Sequence, residues 1–435
     1  MTQLKRSLTS VMVWGLGVGY VISGNYFGWN LGLEKGGTLG LAIALVFIIL
    51  MYITFTLSYS ELACAIPKSG GAFDYASKAF GRDTGFVVGM AQNIEFVFAP
   101  PAIALGIGAY AGAYFPGVPV EVISIVAYLI FVLLNISGIQ IAAVFELVIT
   151  AIAVIAILIF CGLVLPYFES SNLKLDSFPN GWEGVLAATP FAIWFFLGIE
   201  GVANLAEETL NPRRTLLIGF GSAITTLVIL CILTFISAIG IGGWQSIVFA
   251  PNGAVSDSPL PMAVQQIPGD RSTWYNMISG VGLFGLVASF HGLMLAAGRS
   301  TYEFCKAGYG PGVLGKLHSR FKTPANALIV NMFIGVVALL SGKTGEVITI
   351  AVFGALTIYI ISMLSLLRLR KDHPGMERPF RVPFYPLFPI IALVISSLSL
   401  IAVAVYNLKL AGIYLVLLIV SFASYKISGG SRQSI

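Results

Sequence analysis

Charged side chains make up only 10% of the 435 residues, against roughly 25% in soluble domains, too few to cover a water-facing surface. That shortage excludes a soluble enzyme and a nucleic-acid binder. Histidine is scarcer still: His291, His318 and His373 are scattered along the chain, so no metal-spaced set is present. With no paired carboxylates and no nucleophile beside a base, no catalytic residue, cofactor or metal site is expected. The four cysteines, Cys64, Cys161, Cys231 and Cys305, lie in or at the ends of apolar runs rather than in polar loops. They read as free packing residues, which excludes a disulfide-stapled secreted domain. What is abundant is apolar: 57% hydrophobic residues and a mean hydropathy of +0.92. A dozen bilayer-crossing helices need roughly 240 apolar positions, which this composition supplies. The chain is expected to be an all-α polytopic membrane protein whose first partner is the lipid bilayer.

Polar breaks divide the apolar sequence into runs at 8–33, 38–65, 84–113, 120–138, 142–165, 186–206, 215–242, 276–304, 324–341, 345–367, 386–406 and 410–427. These predict twelve transmembrane helices. Nineteen of the 24 Lys and Arg, including Lys5, Arg6, Lys68, Arg82, Arg299, Arg370, Arg378 and Arg432, then fall in loops on the side of the N-terminus. Only Lys35, Lys174, Arg271, Lys343 and Lys409 fall on the other. The positive-inside bias places both termini in the cytoplasm. Residues 8–33 are too long and too rich in glycine for a signal-peptide core and are expected to stay as the first span. The longest loops, at 166–185, 243–275 and 305–323, are too short to hold an appended soluble domain.

Two runs make poor helices near their middles. In the first, Trp14-Gly15-Leu16-Gly17-Val18-Gly19 leads into Ile22-Ser23-Gly24-Asn25; in the sixth, Phe196-Leu197-Gly198-Ile199-Glu200-Gly201 repeats the fault. Glycine and asparagine favour non-helical backbone. Glycines alone also serve close helix packing, but here polar residues join them at mid-depth. Broken backbone survives in a bilayer only where it lines a cavity, and interrupted segments in corresponding positions of two halves point to an inverted-repeat transporter. The halves are 1–165 and 186–367, with 386–427 supplying two further helices.

Three acidic residues lie at membrane depth. Glu95 shares a helical face with Ala99, Ala102 and Gly106, a small-residue face of the kind that packs against other helices, so it points into the protein. There it needs a cation or takes a proton, which suits a site for a protonated amine or a proton relay; a structural hydrogen bond is the alternative. Glu200 follows the second break, where it could receive free N–H groups, report protonation to a gate or serve structure alone. Glu146 lies about 6 Å of helix rise from the start of the fifth span and reads as interfacial or gating. His291, beside Ser289, is either a proton carrier or a hydrogen-bonded core histidine. Trp194, one turn before the second break, is placed to hold an ammonium against its ring.

The segment Tyr59-Ser60-Glu61-Leu62-Ala63-Cys64-Ala65-Ile66-Pro67-Lys68-Ser69-Gly70-Gly71-Ala72-Phe73 resembles a signature of the amino acid–polyamine–organocation superfamily of secondary transporters. Ala206-Glu207-Glu208-Thr209-Leu210-Asn211-Pro212-Arg213-Arg214, Arg299 with Gly308, and Arg378-Pro379-Phe380-Arg381-Val382-Pro383 are similar to its later loops. Val21-Ile22-Ser23-Gly24-Asn25-Tyr26-Phe27-Gly28-Trp29-Asn30 looks most like the ethanolamine permeases. The resemblance implies a leucine-transporter-type 5+5 inverted repeat with broken first and sixth helices and a central amine site between them. It places Ile22, Ser23, Gly24 and Asn25 at the substrate, Trp194 as an aromatic beside it, Leu197 and Gly198 as carbonyl donors to the amine, and Glu200 as a gate or proton-linked carboxylate.

Two departures carry meaning. Amino-acid carriers of this kind have a Gly-Ser-Gly-like run that receives the substrate carboxylate, whereas Ser23-Gly24-Asn25 ends in an amide suited to a hydroxyl. A lysine that some subfamilies carry in the fifth span is replaced by apolar Ile152-Ala153-Val154, leaving Glu95, Glu200 and His291 to bind any coupling proton or cation. The expected function is plasma-membrane uptake of ethanolamine or a similar small primary amine. An amino-acid permease or exchanger of the same fold is the alternative. An intramembrane enzyme lacks its residue set, and a channel fits the paired breaks less well.

Overall fold

The structure is a computed structural model that describes residues 7–137, 142–269 and 271–428. Residue 138, at the end of the fourth apolar run, and Lys5, Arg6 and Arg432 lie outside the described residues. The chain is nearly all helix. Among the described residues, β pairing is confined to two isolated bridges, Leu8 with Thr209 and Phe249 with Val255.

The chain opens with α1 (Ser10–Val21), whose first turn is capped by the Thr9 hydroxyl accepting from the Met12 N–H at 3.4 Å. A four-residue turn, α2 (Ser23–Tyr26), continues it, and α3 (Asn30–Ala65) follows. Gly37, at φ 65°, bends α3 into two pieces where the Leu39 N–H bonds the Ser177 carbonyl. Then come α4 (Ala72–Phe80), α5 (Arg82–Ala111), α6 (Val120–Ile136) and α7 (Ala142–Val164). A loop leads to the short helices α8 (Gly181–Ala187) and α9 (Thr189–Trp194), and a 3₁₀ stretch, Ile199–Glu208, completes that run. The second part has α10 (Pro212–Gly240), loop helices α11 (Gln245–Val248) and α12 (Pro259–Val264), then α13 (Arg271–Lys306), α14 (Ala325–Leu339) and α15 (Thr344–Asp372). Two last helices, α16 (Leu387–Tyr406) and α17 (Leu408–Ile427), end the described chain.

Nine of the described segments are long and apolar enough to cross a membrane, and α1, α6 and α14 are shorter apolar helices. Their burial orders them in space. The most apolar stretch of the Thr189–Glu208 segment is 100% buried and that of α5 is 89% buried, whereas that of α17 is only 17% buried. The irregular backbone therefore sits at the centre, and regular helices whose amides are satisfied internally face the lipid. Val46, Phe47, Leu133, Val337 and Ile419 are among the large apolar side chains on that outer surface.

The basic loops converge at one end of the bundle. Glu61, at the end of α3, accepts from Arg370 Nε at 2.7 Å and Nη2 at 2.6 Å, lies 3.4 Å from Arg378 Nε, and accepts from the Val382 N–H at 2.7 Å. Arg378 also donates to the carbonyls of Leu369, His373 and Met376, which caps the end of α15. Glu207 accepts from the Ser69 N–H at 3.1 Å. The signature segments are thus clasps between helix ends.

A buried carboxylate that serves two guanidinium groups leaves both uncompensated when it is removed. Glu61→Ala should cost about 3–5 kcal/mol and lower the thermal midpoint of the detergent-solubilised protein by several degrees. Lys343→Ala, which removes only an exposed pair with Glu346, should change it by less than about 1 kcal/mol.

Candidate functional site

The interrupted segments cross at the centre of the molecule. The first stays helical through Ile22 (φ −60°, ψ −22°), and α2 keeps its turn through Asn25 N–H to Ile22 O at 2.9 Å and Phe27 N–H to Ser23 O at 3.1 Å. The helix is lost at Phe27, which is extended, and at Gly28, which has φ 85°. The interruption therefore falls after Ser23-Gly24-Asn25 rather than within it. In the second segment α9 stops at Trp194, and Gly198 has the left-handed φ of 96° before the 3₁₀ stretch begins.

Gly24 sets the distance between them. A Cβ there would overlap the Trp194 carbonyl oxygen and lie 2.9 Å from Phe195 Cα. The Trp194 indole N–H donates to the Phe27 carbonyl at 3.1 Å, which satisfies an acceptor freed by the interruption. The rings of Phe27 and Trp194 meet edge to face at 5.5 Å, and Trp29 stacks on Phe195 at 5.5 Å. Ser289 joins α13 to the first segment: its hydroxyl donates to the Gly19 carbonyl at 2.6 Å and accepts from the Ser23 N–H at 2.8 Å.

Glu95 and Glu200 come together beside the second interruption, with the Gly198 backbone next to Glu95. Tyr359 donates to Glu200 at 3.0 Å, Tyr52 and Tyr359 hydroxyls are 3.0 Å apart, and Tyr52 reaches the Ile193 carbonyl at 3.4 Å. Gly354 on α15 makes room for Glu95, since a Cβ there would lie 2.9 Å from the Glu95 nitrogen. Glu95 lies within hydrogen-bonding reach of Glu200 and of the Gly198 backbone; apart from those contacts, both oxygens of Glu95, one of Glu200 and both amide atoms of Asn25 are buried without a hydrogen-bond partner. Two adjacent carboxyls without a counter-charge cannot both be ionised in a water-poor site unless a cation lies between them. The cluster can hold a proton or an ammonium group.

His291 is not part of this cluster. Its Nδ1 lies 2.9 Å from Glu146 on α7. Glu146 is fully buried, a covering by neighbours that depth along one helix does not reveal. Leu197, within the second interruption, is buried, and Leu293 packs over Gly198. Tyr52 and Tyr359 were missed in the sequence because each is one aromatic in an apolar run, and the only signal was a hydroxyl within such a run.

Toward the end away from the basic loops, a cavity of about 640 Å³ opens, lined by Leu31, Glu34, Phe191, Asp257, Thr344 and Thr349 among others. Leu31 and Phe191 line it beside Gly345, and Phe191 stands one helical turn before Trp194 in α9. At the basic end Arg299 on α13 pairs with Glu208 at 2.7 Å. Burial pushes the Asp257 carboxyl up to about 6, against the hydrogen bond that the Thr344 hydroxyl donates to it at 2.6 Å.

A sequence profile of amino acid permeases matches residues 7–422. The chain belongs to the amino acid permease family. Its members are transporters rather than enzymes, and the family lies within the superfamily that the loop motifs resemble. This permease is 28% identical to an uncharacterized transporter of Rhizobium meliloti (strain 1021), over 92% of its own length and 87% of the relative's. It is 27% identical to the methylthioribose transporter of Bacillus subtilis (strain 168), over 89% and 86%. It is 25% identical to the branched-chain amino acid permease of the same organism, over 90% and 86%. A small-molecule substrate and a membrane follow from the family.

Two outcomes test this geometry. Gly24→Ala forces the crossing apart and should cost about 1–3 kcal/mol, the usual range for overpacking. A lowered thermal midpoint checks it against Gly412→Ala, where a Cβ meets nothing within 4 Å. Asp257, raised from 3.8 to about 6, holds its proton in the folded state where the unfolded chain has released it, so its contribution to stability falls as pH rises through that window. Asp257→Asn should remove this loss, and its thermal midpoint should gain on the wild type above pH 6.

Proposed function

We propose that this permease is a secondary carrier that takes up ethanolamine or a similar small primary alkanolamine by alternating access, driven by an inward proton gradient. The observation that carries the reading is the pair of buried carboxyls, Glu95 and Glu200, set against each other with no counter-charge among the described residues. A protonated amine supplies that charge, whereas a substrate carboxylate placed there would be repelled. Asn25, whose amide is buried and unpartnered, offers the hydroxyl a donor and an acceptor.

In this reading Glu95 and the carbonyls of Leu197 and Gly198 hold the ammonium, Asn25 and Ser23 hold the hydroxyl, Ile22 and Gly24 complete the wall, and Trp194 covers the site. The elements form twelve spans, with repeats at 1–165 and 186–367 and two added helices at 386–427. The basic end faces the cytoplasm in the plasma membrane, and the cavity above Phe191 is the outer approach. A second reading, an amino-acid permease or exchanger, is favoured by the relatives named for amino-acid transport, such as the branched-chain amino acid permease. An amino acid in this site would set its ammonium on the same carboxyls and its carboxylate near Asn25 and the Ser23 backbone.

Uptake of labelled ethanolamine into proteoliposomes, competed by alanine, serine, arginine and choline, separates the readings. The expected result is competition by unlabelled ethanolamine and not by the amino acids. Inhibition by an amino acid without ethanolamine transport would establish the second reading. Glu95→Gln should weaken apparent affinity about 10-fold or more, the value of a charge-assisted hydrogen bond. Unchanged affinity would remove Glu95 from the amine site.

A further inference from the structure

The loop between α15 and α16, residues 373–386, is tied down at the basic end of the bundle. Val382 and Arg378 join it to Glu61, and the Arg370 guanidinium lies over the Tyr385 ring at 4.0 Å. It nevertheless keeps large apolar side chains on its outside. Phe384 is 72% exposed, and Tyr385 and Leu387 are exposed beside it. Phe384 has the left-handed φ of 52°, a backbone that bulky residues rarely adopt, and its ring meets that of Phe388 on the first turn of α16 at 5.3 Å. An apolar patch of this kind marks an interaction site, and between two membrane helices its aromatic rings belong among lipid headgroups.

Two uncompensated cations flank the patch. Arg370 and Arg378 serve Glu61, and Arg368 pairs with Asp372 at 3.1 Å. Lys371 and Arg381 are exposed and have no ion-pair partner among the described residues. The acids of this stretch are already engaged, Asp372 with Arg368 and Glu377 in a contact of its own. Lys371 follows Arg370 and Arg381 precedes Val382, and both of those neighbours bond Glu61. The fold thus brings the two cations to one place.

An apolar groove starts next to them. It has a volume of about 540 Å³ and runs between α3, α8 and α16, lined by Phe47, Leu50, Trp182, Leu186, Ile390 and Val394 among others. Leu387, Ile390, Ile391, Val394 and Leu398 recur at helical spacing, so the exposed start of α16 and the groove share one face. From Ile390 to Ala402 the groove follows about 18 Å of helix rise, more than half of a hydrocarbon core about 30 Å thick. Its hydroxyls are those of Ser399 and Thr189, and the latter donates to the Val185 carbonyl at 3.4 Å. Such a lining offers water little to bond and suits a hydrocarbon chain.

We propose that this end of the permease binds an anionic phospholipid, with the phosphate on Lys371 and Arg381, the glycerol region beside Phe384 and Tyr385, and one acyl chain in the groove along α16. Charge selects the headgroup and the groove selects a lipid over a free anion. Thr189 is the first residue of α9, so the chain also braces the segment that carries the second interruption against α16. The site requires a membrane protein but not the ethanolamine reading. The cytoplasmic leaflet as the source of the lipid follows from the orientation proposed above.

Thermal midpoints and native mass spectra of the detergent-solubilised full chain, with dioleoyl phosphatidylglycerol or dioleoyl phosphatidylcholine added, test this. Micelles have no leaflets and the assay uses no substrate, so neither the orientation nor the transport reading affects the result. Phosphatidylglycerol should be retained, and should raise the midpoint, at concentrations about tenfold or more below those needed of phosphatidylcholine. Lys371→Gln combined with Arg381→Gln should abolish most of that preference. Lys316→Gln combined with Arg320→Gln, an exposed pair in another basic loop, should leave it within about twofold. Val394→Trp, which fills the groove from an exposed position, should weaken retention of both lipids alike. Midpoints equal to the wild type's without lipid show that the variants fold. Equal binding of the two lipids, or equal losses in the two double variants, overturns the headgroup site. Full retention in Val394→Trp overturns the place of the chain, and a midpoint raised as far by glycerol phosphate as by the lipid overturns the lipid as ligand.

Discussion

The contact between Gly24 and the backbone of Trp194 and Phe195 is the constraint from which the rest of the centre follows. Two segments of main chain can touch in a bilayer interior only if neither presents a Cβ at the crossing and the groups freed by their interruption find partners nearby. Gly24 meets the first condition, and the Trp194 indole meets part of the second by donating to the Phe27 carbonyl. Most of the irregular backbone is thereby gathered into one protected place, with the bend at Gly37 in α3 as a further interruption. The burial gradient, complete at Thr189–Glu208 and slight at α17, is the outward expression of that arrangement.

Much of this was legible along the chain because the relevant signals are local. Scarce charge and long apolar runs report the membrane directly, and Gly198 with Glu200 stands out against its apolar neighbours. The position of the first interruption was not legible in the same way. Ser23-Gly24-Asn25 looks like poor helix, yet two backbone hydrogen bonds carry the turn through it, and the helix is lost at Phe27 and Gly28 instead. Glycine at position 24 answers a neighbour 170 residues away rather than a local bend. The same reason hid the burial of Glu146 and its pairing with His291. Partners on other helices decide such environments, and no spacing within one helix encodes them.

Acidic groups are placed unevenly within the interior. Glu61 is compensated by Arg370 and Arg378 and ties loops to helix ends. Glu146 is compensated by an imidazole alone, and Glu95 and Glu200 by no residue among those described. Compensation thus weakens from the basic end toward the crossing. A fully paired charge holds structure, whereas one left open to a mobile ion can respond to what arrives.

The hydroxyls of Tyr52 and Tyr359 join Glu200 to the Ile193 carbonyl at the end of α9. Two hydroxyl hydrogens are distributed among three acceptors: the Glu200 oxygen, the Tyr359 oxygen and the Ile193 oxygen. While Glu200 is an acceptor it draws the Tyr359 hydrogen, and the Tyr52 hydrogen is divided between Tyr359 and Ile193. When Glu200 carries its own hydrogen and gives it to Tyr359, the order along the chain reverses and Tyr52 is released to bind Ile193 in full. A change at one carboxyl is thereby written into the grip on the last turn of α9, on the far side of the interruption.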